Sequence, residues 1–194
     1  MRWVVHSLLV VAFASTLISC ASLSGGRSEY MKANPLLQEE IDILIRDLPH
    51  MHGPELLASM SRLVVIGEPA IPYLLDGLES DHPKTRASVS YVLGEMRDRR
   101  VIPNLREVLD DEYAAVRYEA AASLVVLGDW GAIPILFDGM RDENPYNRYK
   151  AFRVLTEQTQ QDMGYDYQAP EEERLAAVRR WETWYAGLRV TRVP

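Results

Sequence analysis

Few side chains of the kinds that hold metals stand close together in this sequence. His50 and His52 flank Met51 in a stretch bounded by Pro49 and Gly53. Two imidazoles and a thioether suit copper or zinc, but a usable site needs three or more ligands. The sequence places no third ligand beside this stretch. We therefore interpret it as a polar turn between helices and predict no metal site.

The other acidic and polar residues also fail to form a recognisable catalytic set. Asp162 and Asp166 flank Gly164, but they do not reproduce the alternating oxygen spacing of a calcium-binding loop. The remaining acidic clusters lie where helices are predicted to begin, and carboxylates stabilise helices there. The sequence has no nucleophile elbow, glycine-rich phosphate loop or His-Glu-x-x-His motif. We therefore predict that the chain is not an enzyme and needs no cofactor.

Composition and charge narrow the remaining classes of protein. The 194 residues are 47% hydrophobic and 25% charged, which is typical of a folded domain. The formal net charge is −7, and no run of Lys and Arg interrupts it. A chain this acidic repels phosphate backbones, so we predict that it does not bind nucleic acid. The same charge argues against electrostatic docking on anionic lipid headgroups.

The single cysteine, Cys20, follows an apolar leader. Arg2 precedes an apolar stretch over about residues 8–18, which is the length of a secretory signal core and short for a membrane span. The leader ends in Leu17-Ile18-Ser19-Cys20, which resembles the lipobox of bacterial lipoproteins. The resemblance implies cleavage before Cys20 and attachment of lipid to its sulfur. The alternative is an uncleaved anchor with a chance cysteine.

This interpretation of the leader predicts the cellular location of the protein and its first domain boundaries. We predict a signal peptide over residues 1–19, then lipidated Cys20 and a Ser/Gly-rich tether over residues 20–33. Several acyl chains would anchor the protein stably in a membrane of the bacterial envelope. Ala21 rather than aspartate follows the cysteine. In Gram-negative bacteria this favours the periplasmic side of the outer membrane over the inner membrane.

Downstream of the tether, several residue types recur at intervals of 31. The repeated positions are Ile71-Pro72, Ile102-Pro103 and Ile133-Pro134, then Leu74, Leu105 and Leu136, and finally Arg86, Arg117 and Arg148. Proline suits the first turn of a helix, and the leucines that follow lie on one helical face. An acidic turn and a second apolar helix complete each unit. Recurrence at such a period indicates a stack of helical hairpins.

The units predict an all-α fold, an α-solenoid of about four helical hairpins over residues 34–160. A leading hairpin begins with a helix near residues 35–48. Residues 161–194 are predicted to form a connector and a capping helix, because a terminal repeat exposes an apolar face. Trp181 and Trp184 lie on that helix and are expected to hold it against the last hairpin.

Over residues 55–160 these features resemble HEAT-like repeats, particularly the short bacterial kind found in phycobilisome lyases. The resemblance includes an aspartate six residues before an arginine, at Asp111 and Arg117 and again at Asp142 and Arg148. In the family these residues form a ladder of bonds between turns. The first unit departs from the pattern, because Ser80 stands six residues before Arg86.

The resemblance also implies that the second helix of each hairpin lines the concave side of the solenoid. Side chains there that the core does not need include Tyr91, Tyr113, Tyr118, Tyr146, Tyr149 and Arg153, together with Lys84, Ser88, Glu119 and Lys150. Tyrosine is stiff and amphipathic and is enriched at interfaces. Tyr118 and Tyr149 stand 31 residues apart and would stack along one groove. The alternative is that these rings only cover the edges of the stack.

The preferred interpretation is an envelope lipoprotein whose α-solenoid is a non-catalytic adaptor or scaffold for another protein. One alternative is a stabilising subunit of a larger envelope complex. Another is a lyase-type enzyme related to phycobilisome lyases, which the export signal disfavours because those enzymes work on cytoplasmic pigment proteins. The shared repeats imply a shape and not a chemistry.

Overall fold

The structure is a computed structural model that describes residues 30–191, with the side chains described as far as residue 188. The predicted signal peptide, Cys20 and nearly all of the predicted tether lie outside the described residues. Within residues 30–191 no helix is both long enough and apolar enough to span a bilayer.

The described chain folds into helices, and residues 30–191 contain no β-strand. The helices are α1 (Pro35–Asp47), α2 (Gly53–Ile66), α3 (Ile71–Gly77), α4 (Pro83–Glu95), α5 (Ile102–Glu107), α6 (Ala114–Val126), α7 (Ile133–Arg141), α8 (Pro145–Thr159) and α9 (Glu171–Thr191). Consecutive pairs from α1 to α8 form four hairpins, and α9 follows as a cap. The predicted all-α solenoid is confirmed.

The local sequence explains where the helices of each hairpin begin. Proline occupies the first turn of the first helix in the second, third and fourth hairpins, where its missing N–H costs no hydrogen bond. A short 3-10 turn precedes each of these helices. In two of these turns an aspartate side chain caps the first residues. Asp98 accepts a hydrogen bond from the Arg100 backbone N–H, and Asp129 accepts one from the Gly131 backbone N–H.

The second helices of the first three hairpins are each followed, within two residues, by a residue with positive φ. Gly67, Arg97 and Gly128 follow α2, α4 and α6 with φ values of 74°, 56° and 86°. A left-handed residue after a helix lets the chain turn sharply and satisfies the last carbonyls. Glycine adopts this conformation without steric cost, whereas Arg97 does so with a side chain.

One continuous hydrophobic core runs through the four hairpins. The repeated leucines of the first helices, Leu74, Leu105 and Leu136, have no exposed surface, and neither do Leu93, Leu124 and Leu155 of the second helices. Each hairpin therefore buries its apolar face against its neighbours, as a solenoid requires.

The last hairpin is covered by α9. Trp181 is fully buried, and its ring meets that of Trp184 edge-on at 5.5 Å. Tyr185 donates from its hydroxyl to the Trp130 carbonyl oxygen at 3.0 Å and packs edge-on against Phe137. These contacts tie the cap to the turn before α7 and to α7 itself.

Candidate functional site

A groove lies across the second helices and involves all four hairpins. Its volume is about 370 Å³, which is within the range that binding pockets have. Its lining residues are Leu56, Leu57 and Met60 from α2, Lys84, Ala87, Ser88 and Tyr91 from α4, Glu119 from α6, and Tyr146, Tyr149, Lys150 and Arg153 from α8. We call this feature the groove.

The two ends of the groove are apolar and aromatic. On α2, Leu57 keeps 59% of its surface exposed beside the half-buried Leu56. On α8, Tyr146 and Tyr149 are 62% and 42% exposed. Tyrosine loses little conformational freedom on binding because its side chain is stiff, and exposed apolar surface gains burial at an interface.

Positive charge lies between these ends. The Lys84 ammonium donates to the carbonyl oxygens of Pro49, at 3.3 Å, and Met51, and among residues 30–191 it pairs with no carboxylate. Lys150 forms an ion pair with Glu119, whose side chain is only 10% exposed. The groove therefore contains one ammonium that neutral carbonyls solvate but no carboxylate neutralises.

The remaining cation of the groove is paired at the surface. Arg153 forms an ion pair with Glu157, at 3.2 Å, one turn further along α8. Both side chains are about half exposed, so water screens the pair and its contribution to stability is small. The guanidinium is therefore free to exchange partners with little loss.

Burial changes the acidity of two tyrosines on these helices. Burial raises the pKa of the Tyr91 hydroxyl, and the carboxylates of Glu95 and Glu119 raise it further. Burial raises the pKa of Tyr118 to about 12, and its neighbour Asp142 adds to the effect. Both phenols are therefore neutral hydrogen-bond donors at physiological pH.

The structure brings together some of the residues that the sequence indicated as a binding surface. Tyr91, Tyr146, Tyr149 and Arg153 all line the groove. Tyr118 lies instead in a smaller adjoining pocket of about 170 Å³, which Tyr146 also lines.

The other expectations about this surface are corrected. Tyr113 is outside the groove, with its ring 5.6 Å from the Arg86 guanidinium. Tyr118 and Tyr149 do not line one groove. The Tyr149 ring packs edge-on against Tyr167 of the connector at 5.2 Å, while Tyr118 packs beside Gly139 of α7. A shared repeat position fixes the helical face of a residue but not the neighbour that its side chain meets.

The α2 end of the groove was missing from the sequence prediction. The surface predicted from the sequence includes no residue of α2, so Leu56, Leu57 and Met60 come from the structure alone. The matching helix ends Gly67 and Arg97 show that α2 and α4 are offset by 30 residues instead of 31. Extending that offset backwards aligns Leu57 with Ala87, which also lines the groove.

The predicted ladder has a different pattern of bonds. Arg86, Arg117 and Arg148 each donate to the backbone carbonyl six residues earlier, at 2.7, 2.7 and 2.9 Å. The Asp111 carboxylate does not bind Arg117 of its own unit. It binds Arg86 of the preceding unit through two bonds of 2.6 and 3.0 Å.

The other two rungs of the ladder also differ from the expected pairing. Arg148 donates from Nε to the Tyr167 carbonyl oxygen at 2.9 Å, so the connector takes the place of a further repeat. Asp142 accepts from Asn147 and from the Asn144 backbone N–H. Within the described part of the chain, it forms no ion pair with Arg117.

A third histidine approaches the stretch around His50, although it is distant in sequence. The rings of His50 and His82 lie edge-on with centroids 6.3 Å apart. Across residues 30–191, no three His, Cys, Asp or Glu side chains converge in a way that would hold a metal ion.

Parts of this chain are similar in sequence to known proteins. Residues 71–156 match the family of HEAT repeats. The chain is 41% identical over 69 residues to deoxyhypusine hydroxylase of Candida albicans, covering 34% of this chain and 22% of that protein. It is 35% identical over 72 residues to deoxyhypusine hydroxylase of Homo sapiens, covering 36% of this chain and 24% of that protein. The chain thus spans less than a quarter of the length of these relatives.

Among solved structures, the chain is similar to one in the complex of CpcE and CpcF of phycocyanin lyase from Nostoc sp. PCC7120. The TM-score is 0.51 and the identity 24%, over 72% of this chain and 88% of that chain. At this identity the likeness concerns the fold alone.

The relatives contradict our prediction that the chain is not an enzyme, because they are named as a hydroxylase. That prediction came from the absence of familiar catalytic motifs. Helical repeats are shared by binding proteins and enzymes alike, so neither the fold nor missing motifs decide between them.

The repeat spacing, the four stacked hairpins, the family match over residues 71–156 and the lyase-like fold agree. Residues 71–156 of this chain are thus similar to HEAT repeats, and they lie within an all-α solenoid of helical hairpins.

Proposed function

We propose that the groove binds a segment of another protein and that the chain serves as an adaptor at the bacterial envelope. The observation that carries this proposal is the exposure of Leu57, Tyr146 and Tyr149 around one groove of about 370 Å³. The repeated leucines Leu74, Leu105 and Leu136 are completely buried, so large apolar groups that stay exposed around one concavity favour an interface.

The test compares two exposed tyrosines of the same chain. Tyr146→Ser removes an aromatic wall of the groove, while Tyr113→Ser removes a ring of similar exposure, 48%, outside it. We expect crosslinking in intact cells, followed by mass spectrometry, to lose a partner with Tyr146→Ser and to keep it with Tyr113→Ser. An unchanged set of crosslinked proteins with Tyr146→Ser would reject the groove as the binding site.

The envelope location rests on the leader. We propose that Cys20 is lipidated and holds the solenoid at the membrane, because the leader resembles a lipoprotein signal. Globomycin, which blocks lipoprotein signal peptidase, should make the uncleaved precursor accumulate, and Cys20→Ser should prevent labelling with a radioactive fatty acid. Normal processing in the presence of the drug would refute lipidation.

A second candidate function is enzymatic, and the relatives named deoxyhypusine hydroxylase favour it. Under this proposal the chain contributes to hydroxylation of a protein side chain, with the groove holding the protein substrate. The test is to incubate the purified full chain with a protein that contains deoxyhypusine and to follow a mass gain of one oxygen atom. Absence of that product in an air-saturated incubation would count against this activity.

A further inference from the structure

We infer that the segment bound in the groove is acidic, with carboxylates flanking a large apolar or aromatic side chain. This inference rests on the proposed binding function and names the chemistry of the partner. Its basis is the distribution of charge in the groove relative to the rest of the chain.

The cations of the groove are concentrated there against the overall charge. The chain has three lysines, and two of them, Lys84 and Lys150, line the groove. With Arg153 they face a single lining carboxylate, that of Glu119. The chain as a whole carries a net charge of −7, so its overall field repels an acidic partner that the cations of the groove attract locally.

Lys84 is the residue that distinguishes this partner from a neutral one. Its ammonium is held by the carbonyl oxygens of Pro49 and Met51, so its position is fixed before a ligand arrives. A carboxylate placed beside it would form a charge-assisted bond without breaking an existing ion pair. Lys150 and Arg153 already have carboxylate partners, Glu119 and Glu157, and therefore contribute less.

The apolar part of the partner follows from the two ends of the groove. Leu57 and Met60 lie at one end, and Tyr146 at the other. The whole groove has a volume of about 370 Å³, which leaves room for a large side chain. Burial of such a side chain contributes affinity. The cations favour partners in which carboxylates flank that side chain.

The experiment uses the full chain and a short fluorescent peptide in which glutamates flank one phenylalanine, followed by anisotropy. The matched peptide carries glutamines instead of glutamates. We expect the glutamate peptide to bind about tenfold more tightly than the glutamine peptide, and Lys84→Gln to remove that advantage. Lys84→Arg should retain it, and Lys32→Gln, which changes the lysine outside the groove, should have no effect. Added salt should weaken binding of the glutamate peptide only.

The outcomes separate this inference from the proposed function. Equal binding of both peptides, abolished by Tyr146→Ser, would overturn the acidic partner but leave the groove as a protein-binding site. Binding that Tyr146→Ser does not weaken would overturn both. Tighter binding to phosphatidylglycerol vesicles than to the glutamate peptide would replace the acidic partner with a membrane surface. Thermal melting of Lys84→Gln and Lys84→Arg shows whether both remain folded.

Discussion

Two junctions between neighbouring hairpins are built from equivalent positions but differ in how tightly they close. The α4–α6 junction is the most extensive contact between two helices in the described part of the chain. A Cβ atom on Gly94 would lie 2.6 Å from Ser123 Oγ, so the two helices meet with no room for a methyl group. Ser123 also donates to the Ser90 carbonyl oxygen at 2.8 Å.

At the α6–α8 junction larger residues occupy the corresponding positions. Val125 stands 31 residues after Gly94, and Val154 stands 31 after Ser123. The two junctions also differ in the turn before the later helix. Arg86 forms an ion pair with Asp111 across the first junction, whereas Asp142, at the equivalent position, forms no ion pair among the described residues. The second junction has instead the Lys150–Glu119 ion pair on the groove side.

The comparison shows that the same kind of repeat can form both a closely packed junction and a groove. Small residues let two helices approach, and side-chain size at the contact sets the distance between helix axes. The α4–α6 junction is therefore the more closely packed of the two. The groove takes its exposed aromatic and aliphatic side chains from the outer helices, α8 and α2.

The largest loss of stability is expected from removing the ion pair across the α4–α6 junction. Asp111→Asn should lower the free energy of unfolding by about 2–3 kcal/mol, because the Arg86 and Asp111 side chains are only 12% and 8% exposed and the guanidinium would lose its charge partner. Asp142→Asn, at the equivalent position, should cost less than about 1 kcal/mol. Urea unfolding measures both. Equal losses would erase the difference between the two junctions.

The same pair makes the difference depend on pH. The hydrogen bond from Arg86 lowers the pKa of Asp111 below its ordinary value near 4. Its stabilising contribution is therefore present above that value and is lost as pH falls through the lowered pKa of the folded protein. The stability difference between wild type and Asp111→Asn should be constant near neutrality and shrink below about pH 4.

The next largest effect is expected from filling the narrow contact. Gly94→Ala should destabilise the protein by about 1–3 kcal/mol, because the new methyl group meets the Ser123 backbone as well as its side chain. Gly187→Ala, in α9 with open space around it, should be neutral or stabilise slightly through helix propensity.

A second substitution tests whether the stability lost with Gly94→Ala comes from the contact between α4 and α6. Ser123→Gly in the same chain should recover part of the lost stability by making room for the methyl group. Thermal and urea unfolding provide the measurement. Purely additive losses would show that the contact is not the cause.

A smaller loss is expected from the ion pair on the groove side. Glu119→Gln should cost about 1 kcal/mol, since the Glu119 side chain is 10% exposed but that of Lys150 is 29% exposed and partly solvated. Glu157→Gln, which alters the exposed pair with Arg153, should change stability by less than about 0.5 kcal/mol. If both variants lost the same stability, the Lys150–Glu119 pair would contribute no more to the second junction than an exposed surface pair does.

The smallest effect is a gain at the end of α4. Arg97→Gly should stabilise the protein by about 0.5 kcal/mol, because glycine relieves the left-handed backbone at φ 56° but loses more entropy on folding. Arg99→Gly, two residues later, has no such strain to relieve and should not stabilise. A melting temperature that rises with Arg97→Gly but not with Arg99→Gly would confirm the backbone explanation.

The regular part of the fold was predictable because its causes are local. Prolines at the first helical turn and leucines on one face, such as Leu74 and Leu105, favour helices that carry one apolar stripe for burial. The site was only partly predictable. Tyr146 belongs to the groove through the packing of α8 in the stack, whereas Tyr113, of the same residue type, lies outside it.

The period of the repeat, the helices of each hairpin and the apolar seam that joins them follow from the order of residues along the chain. The pairing of Asp111 with Arg86 rather than Arg117, and the groove that Leu57 and Tyr146 share, arise only when the hairpins pack together. The reason is physical. Helix formation and amphipathicity depend on residues a few positions apart, whereas ion pairs and grooves depend on distances between helices, which side chains such as Gly94 and Val125 set jointly.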